Sequence, residues 1–101
     1  MGQRLQLHNQ LKAILGTDEV HFQVPPDVAL SYPCIVYERS NIRSSHGDNA
    51  PYHLIKEYTV TVIDPDPDST LPDSVSKLPQ CTFDRHFATE GLNHDVFILL
   101  F

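Results

Sequence analysis

The stretch 58–69, YTVTVIDPDPDS, fixes more about this chain than any other. Tyr58, Val60 and Val62 alternate with Thr59, Thr61 and Ile63, the pattern of a half-buried β-strand whose successive side chains point to opposite faces. Pro65 and Pro67 then remove two backbone donors and end the ladder. The strand therefore stops in three aspartates spaced two apart, Asp64, Asp66 and Asp68, which are either a metal site or the joint between a strand and a helix.

Around this strand the chain alternates helix and strand signals. Leu7, Leu11, Ile14 and Leu15 form one apolar stripe of a helix over 3–15, with Gly16 as its C-cap. Val20–Val24 is a short strand closed by Pro25 and Pro26. The strand 34–40 sets Cys34, Val36 and Glu38 against Ile35, Tyr37 and Arg39. Residues 41–54 are polar, and loops this long in compact domains tend to be functional; the spacing predicts an extended hairpin arm over 40–55. A short helix follows from Leu71, capped by Asp68 or Ser69, with Leu71, Val75 and Leu78 buried and Pro79 as its stop. Two last strands, 81–87 and 95–101, make a hairpin. On the first, alternation puts Cys81, Phe83, Arg85 and Phe87 on one face. The second, VFILLF, is apolar on both faces and calls for cover on both. The expected fold is α+β: one domain, 1–101, with a mixed, mainly antiparallel β-sheet of four to five strands and two helices packed on it.

Composition narrows the function. The formal charge of −6 and the 13 acidic against 7 basic residues argue against a free nucleic-acid binder, which needs a basic face. The sequence shows no apolar run long enough to cross a membrane and no apolar signal-peptide core, so a cytosolic, membrane-free location is expected. Cys34 and Cys81 sit in apolar strands outside any CxxC pair, as buried thiols of a reducing compartment do.

The candidate chemical sites weaken on inspection. A calcium loop begun at Asp64 would need a glycine at its sixth position and a glutamate at its twelfth, where this chain has Ser69 and Val75. A magnesium nuclease would join Asp64 to Glu38 and Asp84 on adjacent strands, without a lysine at the matching strand. The histidines at 8, 21, 46, 53, 86 and 94 match no zinc spacing, although His86 and His94 can meet across the last hairpin. Phosphate-cradling glycine loops are missing. An enzyme is not the favoured class, and no cofactor or metal is expected.

Three segments, FQVPPDVALSYPCIVYERS at 22–40, DNAPYHLIKEYTVTVIDPDPDS at 48–69 and LPQCTFDRHFATEGLNHDVFILLF at 78–101, together with the order of elements, resemble the tail-terminator or tail-completion proteins of long-tailed bacteriophages. The resemblance implies a structural protein of the virion neck, assembled in the host cytoplasm. It implies a homo-oligomeric ring, commonly a hexamer, that closes the tail tube. Its partners would be the tail tube protein and the head-completion (stopper) protein, with DNA passing through the lumen without specific binding. Head-completion stoppers and connector adaptors are also small, acidic and ring-forming, and a small metal-dependent nuclease using Asp64 and Glu38 is the reading from another class. The chain's own features suit a ring: unpaired sheet edges, an over-apolar last strand and a polar arm leave surface for neighbours. A monomer with a well-covered last strand is the alternative. On this reading the interface candidates are Arg39, Asn41, Arg43, His46, Asp48, Asn49 and Tyr52 in the arm, with Glu38 and Arg85 as inter-subunit ion-pair candidates.

Overall fold

The computed structural model describes residues 3–24, 30–45 and 53–100, with side chains described for all of these but 3, 43–45, 53 and 54. The elements run α1 (Gln3–Leu15), β1 (Val20–Phe22), β2 (Cys34–Ser45), β3 (His53–Asp64), α2 (Leu71–Ser76), β4 (Cys81–Thr89) and β5 (Leu92–Leu100). One five-stranded sheet has the order β1-β2-β3-β5-β4. The β1–β2 pair is parallel and the other neighbours are antiparallel. The α+β fold expected from the sequence is the fold observed.

β3 lies in the middle of the sheet because its alternation supplies one fully apolar face. Tyr37, Val60 and Phe97 are direct cross-strand neighbours on β2, β3 and β5, and Ile35–Val62 and Tyr58–Leu99 extend the same face. These residues form one buried cluster with Leu7 and Leu11 of α1, Val20 of β1 and Val75 of α2. Ile14, Leu15, Leu71 and Leu78 pack at its margin. Both helices thus lie on this face. Cys34, Ile63 and Val96, one position out of phase, are buried on the opposite face.

Turn chemistry sets the boundaries. Gly16 adopts φ +82° and its N–H donates to the Lys12 carbonyl at 2.8 Å, the left-handed C-cap that glycine tolerates best. The β4–β5 connection is shorter than the spacing 88–94 predicts. Thr89 pairs with Leu92, and Glu90 and Gly91 both take positive φ, 53° and 77°, the two-residue turn whose twist matches its flanking strands. At the start of α2, Thr70 occupies the cap position without a side-chain cap bond. Ser69 contributes one position earlier, its Oγ accepting the Leu71 N–H at 3.2 Å, and Asp68 takes no part in capping.

Two bulges overturn the simple alternation. The β4–β5 register shifts between Phe83 and Arg85. Phe83 then pairs with Phe97 on the helix-covered face, whereas Arg85 and Phe87 pair with Val96 and His94 on the other. An extra residue in one strand reverses the side-chain parity beyond it, so Cys81, Phe83, Arg85 and Phe87 do not share a face. The two-residue turn, which sets the register from Thr89–Leu92 outward, pairs His86 with Asp95 and His94 with Phe87, so the two histidines do not meet across the hairpin. A second shift, between Arg39 and Asn41, leaves Ser40 as the extra residue of β2.

Leu11 is fully buried and Leu5 on the same helix is exposed, so truncating each gives a matched pair. Leu11→Ala should lower the unfolding free energy by about 2–5 kcal/mol and Leu5→Ala by less than about 0.5 kcal/mol, read from urea denaturation midpoints of the two variants.

Candidate assembly surfaces

The largest departure from compactness is the β2–β3 arm. β1 pairs with β2 only over Ile35–Tyr37, and β5 pairs with β3 only from Glu57 to Asp64. Beyond these limits, among the described residues, β2 and β3 pair with each other alone, from Ile42–Lys56 out to Ser45–His53. The strands therefore run further into 41–54 than the polar composition suggests, and residues 46–52 of the hairpin arm expected over 40–55 lie outside the described residues. The principal extents of 52 × 24 × 24 Å reflect that elongation. A two-stranded ribbon is marginal in water by itself. Ile42 and Ile55 on it are exposed, and because Ile42 opposes Lys56 while Ile55 opposes Arg43, they lie on opposite faces.

Of the expected interface residues, Arg39 and Glu38 are exposed where the arm leaves the sheet. Arg39 is level with Tyr58, and Glu38, level with Thr59, is on the opposite face. Asn41 is exposed beside Glu57 and turns its Oδ1 to the Ile42 N–H at 2.8 Å. The Ser40 Oγ donates to the Glu57 carbonyl at 3.2 Å. Arg43 occupies a β2 position level with Ile55. His46, Asp48, Asn49 and Tyr52 lie outside the described residues. Arg85 stands apart on β4 and donates to Asp84 at 2.8 Å; an exposed pair of this kind contributes little to stability.

β4 is the second surface. It forms one edge of the sheet, and every residue from Thr82 to Thr89 is exposed. Phe83 meets Phe97 edge-on at 5.5 Å and Phe87 stacks on His94 at 4.6 Å, yet they remain 52% and 41% exposed. No glycine or proline in 81–89 marks the bulge at Asp84 in the sequence. Where β1 ends, a groove of about 460 Å³ opens along β2, lined by Gln23, Val36, Glu38, Arg39, Thr59 and Thr61 among others.

The DPDPD segment is a joint held by its own oxygens. Asp64 Oδ1 accepts the Asp66 N–H at 2.8 Å and Asp66 Oδ1 accepts the Asp68 N–H at 2.9 Å, two successive Asx turns. Asn93 Nδ2 donates to the Asp64 carbonyl at 3.3 Å. Asp66 and Asp68 are exposed as expected, whereas Asp64 is buried rather than solvent-facing. Thr59, level with Glu38, is five strand residues from Asp64, about 17 Å at the usual rise, and an odd separation puts the two on opposite faces. Asp64 and Glu38 thus do not form the pair a magnesium nuclease needs. Among the described residues no three His, Cys, Asp or Glu side chains converge as a metal site.

Two further environments bear on chemistry. Burial, reinforced by Glu19, pushes the Cys34 thiol up to about 11, and burial raises Cys81 as well, so both thiols are poor nucleophiles at neutral pH. Beneath α1, the buried Tyr37 hydroxyl lies 2.8 Å from His8 Nδ1 and accepts from Arg4 Nη1 at 3.4 Å. Partial burial, then the charges of Lys12 and Arg4, hold His8 below its ordinary value. Among the described residues no helix is long and apolar enough to cross a membrane. Compared with known proteins, the chain matches no family model, no curated protein and no solved structure.

His8 gives a testable pH dependence. Its folded pKa lies below the unfolded value of about 6.5, so between the two the unfolded chain binds more protons and stability falls as pH drops. The urea midpoint should therefore decrease from pH 7.5 to pH 5.5, and His8→Gln should make that decrease smaller.

Proposed function

We propose that this protein is an assembly subunit of a phage neck, a tail terminator that forms a homo-oligomeric ring, six-membered by family likeness, on the end of the tail tube and joins it to the head. The observation that carries this reading is the pairing of a small one-sided body with a ribbon that extends beyond it. The body covers one sheet face with helices, while the arm holds Ile42 and Ile55 in solvent on opposite faces. Such an element gains stability only when something else packs on it. Head-to-tail contacts between copies supply that packing and close into rings. The order of elements and the three likened segments support the terminator assignment among ring-forming proteins. The tube protein on one side and the head-completion protein on the other are the partners this role requires. A formal charge of −6 suits a lumen that passes DNA without holding it.

The test is the phenotype of virions assembled without the protein. A terminator predicts tubes of uncontrolled, excessive length beside intact DNA-filled heads, seen by electron microscopy. Tails of normal length beside heads that leak DNA would contradict it and assign the chain to the stopper or adaptor of the connector.

A further inference from the structure

We infer that the ring is held by strand addition between copies: the β4 edge of one subunit pairs, antiparallel, with the free outer edge of β2 in the arm of the next. This contact rests on the ring reading above and specifies its surfaces.

Topology supplies the two halves of the contact. β4 is the last strand on one side of the sheet. On the other side, β1 pairs with β2 only as far as Tyr37, and among the described residues no strand lies along the outer edge of β2, the edge away from β3, from Glu38 to Ser45. Each half is thus a row of backbone donors and acceptors without a strand partner, the template for adding another strand. β4 has 9 residues, and the stretch Glu38–Ser45 matches it to within one. Because the two edges are on opposite sides of one sheet, they cannot meet within a chain, but each copy offers one to the neighbour on either side. That is a heterologous contact, which repeats until it closes.

Strand direction agrees. β2 is antiparallel to β3, β3 to β5 and β5 to β4, so β2 and β4 run in opposite directions. A second copy in the same orientation therefore presents β2 antiparallel to β4. Cys81 begins β4 level with Leu99 and Tyr58, whereas the free part of β2 starts at Glu38, level with Thr59, and runs away from the body. Successive subunits must slide along the strand direction for these to meet. Stagger of this kind is what closing a sheet into a barrel demands.

Side chains supply the anchoring. The Asp84 bulge sends Phe83 and Phe87 to opposite faces of β4, so an added strand would meet an aromatic ring above and another below. Ile42, 44% exposed, is the apolar side chain on the incoming edge. Cross-strand pairs of aromatic and β-branched residues are the favourable units of sheet pairing. Charges of both signs occur on each edge, Glu38 and Arg39 on one and Asp84 and Arg85 on the other, so no like-charged block opposes the approach. The bulge and its charges also blunt β4 against indiscriminate pairing before assembly.

The experiment is a mixing test on the full chain by native mass spectrometry at tens of micromolar. Phe83→Lys/Phe87→Lys spoils the β4 edge and Ile42→Lys spoils the β2 edge; all three side chains are already exposed, and circular dichroism checks the fold. Each variant alone should fall to the 11.4 kDa monomer. Their equimolar mixture should give a heterodimer and nothing larger, because one intact edge of each kind remains. Hydrogen exchange on the unaltered protein gives a second readout: amides from Thr82 to Thr89 should be protected in the oligomer and lose protection on dilution to monomer. An oligomer that survives both variants, or β4 amides that exchange alike in oligomer and monomer, overturns the edge contact and leaves the ring reading standing. An unaltered chain that stays monomeric at this concentration overturns both.

Discussion

The row Tyr37–Val60–Phe97 across the middle of the sheet is the contact on which the remaining structure depends. It joins the three long inner strands through one set of side chains and provides the surface on which Leu7 and Leu11 of α1 come to rest. Tyr37 does more than fill volume. Its ring packs against Phe22 and Tyr58 at 5.0 and 6.1 Å, and its hydroxyl meets His8 and Arg4 of α1. A buried hydroxyl without such partners would cost free energy, so the polar end of Tyr37 fixes how α1 sits over the sheet. Arg4 also lies over the Phe22 ring at 4.6 Å, tying the same helix to β1.

Because this row buries only one face, the fold is one-sided. Two short helices over five strands leave Val36, Thr59, Thr61 and Ile98 half-buried on the other face. They leave β4 exposed from Thr82 to Thr89 and let β2 and β3 run past the body. In a chain of 101 residues the helices supply too little surface to cover everything the strands present. Elements left bare by a monomer are the natural contact surfaces of an assembly. The ring proposed above rests on that geometry.

Most of the architecture is legible in the sequence because it depends on period. Alternation around Val60 predicts β3, the stripe Leu7–Leu11–Ile14–Leu15 predicts α1, and Gly16 predicts its end. The misread features are those that period cannot carry. A bulge adds one residue without any residue type that announces it, and at Asp84 this moves Arg85 and Phe87 to the face opposite Phe83. The Asp64 carboxylate is another case. Proximity to prolines suggests solvent, but the chain folds back so that Asp64 accepts a backbone N–H two residues on and is buried in doing so. The polar composition of 41–54 hides how far the β2–β3 ladder continues, since Ser44–Leu54 and Ser45–His53 still stand in register. Arg85, expected as an inter-subunit ion-pair candidate, has Asp84 one residue away, and that carboxylate takes up its guanidinium within the chain.

Mass in solution tests the central claim most directly. Light scattering on the purified, unaltered chain at micromolar concentration should return a single species at an integral multiple of 11.4 kDa, six-fold for the proposed hexamer. A species that remains at 11.4 kDa across the concentration series would contradict the account.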